Sequence, residues 1–223
     1  MDSVSLLASF SPETLLPFGV GALFLAFFSL IIWAAVVQTR KARENLQGLA
    51  ASLGLAVQEP ASKGIVSTGQ RRVIGAFRGR AVQIYTYTTG SGKNRSTWCA
   101  LTVVASVPTG FSLKITGENL FTKAGRMIGF DDVKTGDSAF DERFYVKSAQ
   151  SDYVRAALIP EVRTRLLEAW KTHRPSGAFT VENGQVKYNE LGNFANTKLC
   201  QRFPAMLEIA CELAEIGEAW RGE

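Results

Sequence analysis

A run of acidic residues is the part of this sequence that comes nearest to catalytic chemistry. Paired carboxylates can bind a hard cation or act as a general acid and base. The spacing departs from that of a calcium-binding loop, and short Asp side chains beside a Gly are typical of turns. We interpret the run as residues that stabilise turns. The alternative is that they serve a hydrolase or a metal-dependent enzyme. The carboxylates are Asp131, Asp132, Asp137, Asp141 and Glu142, of which the four Asp residues would serve the enzyme.

The other templates for catalysis each lack a residue that they need. Residues 89–94 resemble a phosphate-binding loop, but Tyr87 stands where its first Gly belongs and Asn94 where Ser or Thr belongs. His173 is the single histidine of the chain, so a zinc site lacks a second imidazole and a catalytic triad would depend on this residue. The sequence predicts no catalytic residue, cofactor or metal, and it identifies no small-molecule substrate.

One segment near the N-terminus is long and apolar enough to cross a membrane. No charged residue lies between Glu13 and Arg40. Residues 15–38 would form a helix of about 35 Å, which spans a hydrocarbon core of about 30 Å. A helix pairs every interior N–H and C=O, as lipid requires. A cleaved signal peptide would have a basic start and a shorter apolar core, so we predict a transmembrane helix.

The charges beside this segment predict its orientation. Arg40, Lys41 and Arg43 follow it directly, while only Asp2 and Glu13 are charged before it. Positive flanks stay in the cytoplasm, and three cysteines are too few for a disulfide scaffold, which fits a reducing compartment. We predict an extracytoplasmic N-terminus at 1–14, a transmembrane helix at 15–38, a juxtamembrane helix at 39–54 and a cytoplasmic domain at 55–223.

Small residues recur along the membrane segment at helical spacing. Gly19, Ala22, Ala26 and Ser29 are separated by three, four and three positions, which places them on one stripe. Such a stripe allows another membrane helix to approach closely, although small residues are also common in membrane helices that face lipid. We expect the stripe to pack against other membrane subunits or a second copy of this chain.

Basic residues are concentrated after the membrane segment and in the first predicted hairpin. Residues 40–95 contain ten basic side chains and two acidic ones. Each basic residue near an anionic leaflet contributes roughly 1 kcal/mol before screening. Tyr85, Tyr87 and Trp98 lie among them, but no nucleic-acid-binding module is present, and we expect no nucleic acid partner. The predicted contacts to lipid headgroups are Arg40, Lys41, Arg43, Arg71, Arg72, Arg78 and Arg80.

The hydrophobic pattern after the membrane segment predicts an α+β fold, an antiparallel β-meander covered by helices. Strands are predicted at 71–77, 81–89, 97–107 and 111–116, and Asn183-Gly184 predicts a hairpin. Helices are predicted at 118–125, 161–173 and 197–220. The last is a long amphipathic helix with Glu208, Glu212 and Glu215 on its polar face.

Three short motifs resemble a pattern of uncharacterised bacterial proteins. They are Thr135-Gly136-Asp137-Ser138-Ala139-Phe140-Asp141, then Phe144-x-Val146, then Leu158-x-Pro160-Glu161-x-Arg163. The resemblance is to a membrane-anchored family of unknown function with a TGD-x-AFD element, and it covers residues 40–220. It implies an α+β domain at the bacterial inner membrane and carries over no catalytic residues.

The sequence as a whole favours a non-enzymatic, membrane-anchored cytoplasmic interaction module, an accessory or scaffold subunit of a membrane protein complex. The expected partners are membrane lipids and other membrane subunits, with the acidic face of residues 197–220 as a further contact. Two alternatives stay open: a membrane-tethered enzyme that uses the Asp residues, and a domain that binds the surface of anionic lipid.

Overall fold

The protein is described by a computed structural model, which covers residues 12–59, 62–63, 66–67, 70–117 and 131–221. The chain divides into two compact units, Met1–Lys41 and Ala42–Glu223. Two sequence predictions, the short helix at 118–125 and most of the extracytoplasmic segment 1–14, lie outside the described residues.

Helix α1 (Pro12–Leu53) contains both the membrane segment and the predicted juxtamembrane helix without a break. It ends before Gly54, whose φ of +66° is the left-handed conformation that Gly adopts without strain at helix ends. Residues from Ala42 onward belong to the second unit. There Leu46, Leu49 and Ala50 are buried, so this part of the helix contributes to the core of the folded unit.

A nine-stranded antiparallel sheet organises the second unit, in the spatial order β1-β4-β5-β6-β11-β10-β7-β9-β8. A separate pair, β2 and β3, lies outside it. The strands are β1 (Ala56–Gln58), β2 (Ser62–Lys63), β3 (Val66–Ser67), β4 (Arg72–Phe77), β5 (Arg80–Thr89), β6 (Ser96–Val104), β7 (Leu113–Gly117), β8 (Asp131–Asp132), β9 (Phe144–Ser148), β10 (Ala178–Glu182) and β11 (Gln185–Leu191).

The strand order departs from a simple meander at one place. Strands β4, β5 and β6 pair consecutively, but β7 does not lie beside β6. The hairpin β10–β11 inserts between them, because β11 pairs with β6 and β10 with β7. Its turn is the predicted Asn183-Gly184, with φ of +50° and +72°, and the predicted hairpin is confirmed. This hairpin is distant in sequence from β6 and β7. It can lie between them because both of its strands bury apolar residues on one face, as the neighbouring strands do.

Among the described residues of the second half of the chain, five further helices follow. The predicted C-terminal helix is divided in two: Pro204 has no N–H to donate to the carbonyl of Cys200, so α5 ends and α6 begins anew with Pro in its first turn. The helices are α2 (Ser138–Arg143), α3 (Ser151–Ala157), α4 (Pro160–His173), α5 (Thr197–Cys200) and α6 (Phe203–Ala219). A short 3-10 turn, Gly92–Asn94, occupies the loop between β5 and β6.

Helix α6 covers the middle of the sheet and forms the centre of the core. Its buried residues include Phe203, Met206 and Leu213. The helix lies close to the sheet at Gly217, where an added Cβ would stand 3.2 Å from a methyl of Val181 on β10. The α+β fold with a long amphipathic C-terminal helix is therefore confirmed.

Candidate interaction surfaces

Helix α1 exposes apolar side chains around its circumference. The large residues from Leu23 to Val36 are between 48% and 72% exposed, and Trp33 is among them. Within the described part of the chain, one candidate membrane span is present, Leu23–Leu53. An apolar surface of this size calls for lipid or another apolar helix to cover it.

The predicted small-residue stripe lies on this helix. All four positions are helical, and the spacing places them along one side of α1. Ala26 and Ser29 are exposed. For Gly19 and Ala22 the structure describes the helical backbone only. Packing of another helix on the stripe stays a prediction.

Two of the predicted lipid-binding arginines lie against the C-terminal helix. The two-residue turn Arg78-Gly79, with φ of +49° and +76°, places both guanidinium groups over α6. Arg78 lies 3.4 Å from Glu208 and 2.9 Å from Glu215. Arg80 lies 2.6 Å from Glu218, which also accepts a 3.1 Å hydrogen bond from the N–H of Ser106.

This arrangement balances basic charge on the hairpin with acidic charge on α6. The hydrogen bond from Arg80 holds the pKa of Glu218 below its ordinary value, and the same bond raises the pKa of Arg80. Glu212, on the buried side of α6, pairs instead with Arg165. Headgroup contact by Arg78 and Arg80 stays a prediction, and any such contact would compete with these glutamates.

The remaining predicted lipid contacts are distributed over the two units. Arg40 and Lys41 are exposed on α1. Arg43 and Arg71 both approach Glu59, at 3.9 Å and 2.7 Å. Arg72 is exposed on β4, with its guanidinium 5.6 Å from the centre of the Tyr85 ring.

The acidic run forms a turn and a helix cap. Asp141 accepts hydrogen bonds from the N–H of Thr135 at 2.9 Å, from the hydroxyl of Thr135 at 2.9 Å and from the N–H of Gly136 at 3.0 Å. Burial opposes ionisation of Asp141, but these three bonds outweigh it and lower its pKa. Asp137 caps α2 through the N–H of Phe140 and lies 3.3 Å from Arg163.

The described carboxylates of this run do not converge on one point. Asp132 pairs with Lys134 at 3.4 Å, whereas Asp141 binds Thr135 and Gly136. Among the residues that the structure describes, no three His, Cys, Asp or Glu side chains come together as metal ligands. The turn interpretation therefore accounts for Asp137 and Asp141, and the enzyme alternative gains no support from their geometry.

A buried carboxylate that the sequence reasoning missed lies at the end of β11. Glu190 is 1% exposed and forms an ion pair with Arg202. It also accepts hydrogen bonds from the N–H of Ser176 at 3.1 Å and from the hydroxyl of Tyr188 at 2.7 Å. Burial and the neighbouring Glu190 raise the pKa of Tyr188 well above its ordinary value. The network connects β11 to the turn before α6, and all its members are satisfied within the protein.

The three cysteines are free and buried. Burial raises the pKa of Cys200 and of Cys211 to about 11 and that of Cys99 further still. A thiol with a raised pKa holds little thiolate at neutral pH and is a poor nucleophile.

The face of the sheet opposite α6 carries aromatic and basic side chains. Tyr87 and Trp98 stack with their ring centres 6.5 Å apart. The Lys187 ammonium lies 4.6 Å from the centre of the Tyr87 ring, and the Tyr87 hydroxyl donates to Asn189 at 2.9 Å. These side chains are half-buried.

Three lysines share this face although they are far apart in sequence. Lys114, Lys147 and Lys187 each alternate with buried apolar residues on β7, β9 and β11. That alternation is visible in the sequence and identifies them as outward-facing. Their alignment depends on the insertion of hairpin β10–β11 between β6 and β7. The sequence predicts the hairpin but not this position, so sequence reasoning missed the group.

These features define a class of protein: an apolar helix able to cross a membrane, followed by an α+β unit built on one antiparallel sheet. The chain matches no protein-family model, and no curated protein is significantly similar to it. Its fold is similar to the crystal structure of the mycobacterial trehalose monomycolate transport factor A, TtfA, with a TM-score of 0.50 and 16% sequence identity. The match covers 79% of this chain and 93% of that chain. At this identity the likeness shows the fold alone.

Proposed function

We propose that this protein is a membrane-anchored accessory subunit that holds an interaction module at the cytoplasmic face of a bacterial inner-membrane complex. The observation that carries the proposal is the exposed apolar circumference of α1. Exposure of such a surface to water is unfavourable, whereas lipid can cover it. A helix pairs its own backbone N–H and C=O groups, as the lipid interior requires. The folded unit that follows has its own core, as a tethered binding module requires.

The orientation in this proposal places the N-terminus outside and the folded unit in the cytoplasm. Arg40 and Lys41 follow the apolar stretch, and basic flanks are retained on the cytoplasmic side. The free thiols of Cys99, Cys200 and Cys211 support a reducing compartment.

The contacts of the reactive groups support a binding role without catalysis. Asp141 and Asp137 stabilise a turn and a helix start, and the thiols have raised pKa values. These side chains have structural roles in the fold, which supports a module that acts by binding a partner.

The partner in this proposal is a transport complex in the membrane. The similar structure, TtfA, is by its name a transport factor, and the similar fold supports a role in transport for this chain. Gly19, Ala22, Ala26 and Ser29 would then pack against a membrane helix of the complex, because small residues allow close approach.

Purification of the full chain from its native membrane in mild detergent, with quantitative identification of co-purifying proteins, tests the proposal. A variant with residues 15–38 replaced by an unrelated apolar helix keeps the anchor and removes the stripe, so it is the matched control. We expect native chain to retain a membrane transport protein in constant ratio and the helix-swap variant to retain less of it. A native chain that elutes alone as a monomer contradicts the accessory-subunit role.

A further inference from the structure

A cleft of about 440 Å³ lies between helices α2 and α4. The ion pair of Asp137 and Arg163, 3.3 Å apart, joins the start of α2 to the first turns of α4. The rings of Phe140, Phe144 and Trp170 pack in series in the core, with centres 4.8 and 4.9 Å apart. These contacts fix the two helices that form the cleft. Its lining residues are Ala139, Arg143, Leu167, Glu168, Lys171 and Arg174.

Three of the lining residues are cations, and they come from the ends of both helices. Arg143 is the last residue of α2, Lys171 lies in the last turn of α4 and Arg174 follows α4 directly. The negative ends of the helix dipoles favour cations here, which explains how three like charges are tolerated together. The dipoles do not use the side-chain hydrogen-bond donors. Among the described residues, no carboxylate lies within ion-pairing distance of any of these three side chains.

The acidic residues of the neighbourhood leave the cleft positively charged. Glu168 is the acidic residue of the lining, so three positive charges and one negative charge give the cleft a net charge of +2. Glu142 precedes Arg143 on α2 but does not line the cleft. Asp141 accepts hydrogen bonds from the turn before α2. The cleft therefore keeps an excess of positive charge that suits an anionic ligand.

Arg174 occupies a backbone position that favours glycine. Its φ of +46° lies in the left-handed region, where a residue with a Cβ is strained and where helix ends usually carry Gly. Residues that break a local stability rule in a well-formed element are often there for function. A long cation at this position favours a role for its side chain at the cleft.

The charge, size and walls of the cleft narrow the class of ligand. Guanidinium and ammonium groups are the side chains that bind phosphate. A phosphate monoester carries a charge of about −1.5 to −2 at pH 7 and three acceptor oxygens, which matches the net charge of the cleft better than the single charge of a carboxylate. Cavities of roughly 300–1,000 Å³ hold small molecules. Ala139 and Leu167 offer apolar contact to the organic part of such an ester.

We propose that this cleft binds the phosphate group of a small phosphate monoester, held by Arg143, Lys171 and Arg174. Two sources supply this chemistry, a soluble ester and the headgroup of a lipid such as phosphatidic acid. The inference goes beyond the accessory role, because the site lies within the second unit and does not depend on what α1 contacts.

Isothermal titration calorimetry of phenyl phosphate into the full chain, held in phosphatidylcholine nanodiscs, tests the site. The variant R143Q/K171Q/R174Q removes the three cations, and we expect it to weaken binding roughly tenfold. The variant K93Q/R95Q/R221Q removes the same charges at exposed positions outside the cleft, and we expect it to weaken binding by less than about twofold. Benzoate presents the same ring with a single charge, and it should bind roughly fivefold more weakly than phenyl phosphate.

Two single variants separate loss of binding from a folding defect. Glu168→Gln removes the negative charge of the lining, so we expect phenyl phosphate to bind roughly twofold more tightly. Arg174→Gly removes one cation at a position where Gly is unstrained. We expect it to weaken binding roughly threefold, while the denaturant midpoint of unfolding does not fall.

Nanodiscs that contain phosphatidic acid distinguish the two sources, and discs with the same content of phosphatidylglycerol control for surface charge. A lipid source predicts that phosphatidic acid weakens phenyl phosphate binding more than phosphatidylglycerol does. A soluble source predicts equal effects of the two lipids. The proposal is overturned if the native chain fails to bind phenyl phosphate, if benzoate binds equally well, or if both triple variants weaken binding equally.

Discussion

Arg80 donates a 2.6 Å hydrogen bond from its guanidinium to the carboxylate of Glu218, and this ion pair joins the β4–β5 hairpin to helix α6. Both side chains are largely shielded from water, at 18% and 28% exposed. Arg78 adds longer, more exposed contacts to Glu208 and Glu215. The basic hairpin and the acidic helix face therefore form one internal interface.

A double-mutant cycle measures how strongly this interface is coupled. We expect Arg80→Met and Glu218→Gln to show a coupling energy of roughly 1 kcal/mol, because the pair is partly shielded and short. The matched cycle on Arg78 and Glu208 should give a value near 0, since that pair is longer and more exposed. Urea unfolding of the full chain in detergent provides the free energies. Equal coupling in both cycles contradicts this ranking.

The stability of the folded unit should fall in acid. The pKa values of Glu218 and Asp141 are lowered in the folded state. Their contribution is therefore complete above the ordinary carboxyl pKa of about 4 and is lost as pH falls through the lower folded value. Glu218→Gln and Asp141→Asn should each flatten the loss of unfolding free energy below about pH 4. Glu142→Gln, at an exposed position, is the control, and a native curve that is flat in acid counts against the prediction.

The buried ion pair of Glu190 and Arg202 should be sensitive to loss of one partner. Arg202→Met leaves a carboxylate that is 1% exposed without its cation, and we expect a loss of about 3 kcal/mol in the free energy of unfolding. The double variant E190Q/R202M should recover part of it, because the uncompensated charge is gone. If R202M unfolds at the same denaturant midpoint as the native protein, the network is not required for stability.

Much of the fold could be predicted from the sequence because periodicity and turn chemistry are local. The apolar run of α1, the stop at Gly54, the alternation in β4 and β5 and the Asn183-Gly184 hairpin each depend on neighbouring residues. The break before α6 also has a local cause, Pro204, but the amphipathic pattern predicts one helix over 197–220 and misses it.

The interaction surfaces were less predictable because they depend on contacts between distant residues. The sequence shows Arg80 and Glu218 as charges on two separate elements, and only the register of β4–β5 beneath α6 brings them together. The position of Lys114, Lys147 and Lys187 on one face of the sheet likewise requires hairpin β10–β11 to lie between β6 and β7. Neither relationship has a signature in spacing along the chain.

Alkaline carbonate extraction of bacterial membranes that contain the full chain tests the central claim most directly. The account predicts that the native chain stays with the lipid pellet, because α1 is held in the bilayer by its apolar surface, and that a chain beginning at Ala42 moves to the supernatant. Recovery of the native chain in the carbonate supernatant would contradict membrane anchoring and, with it, the accessory role.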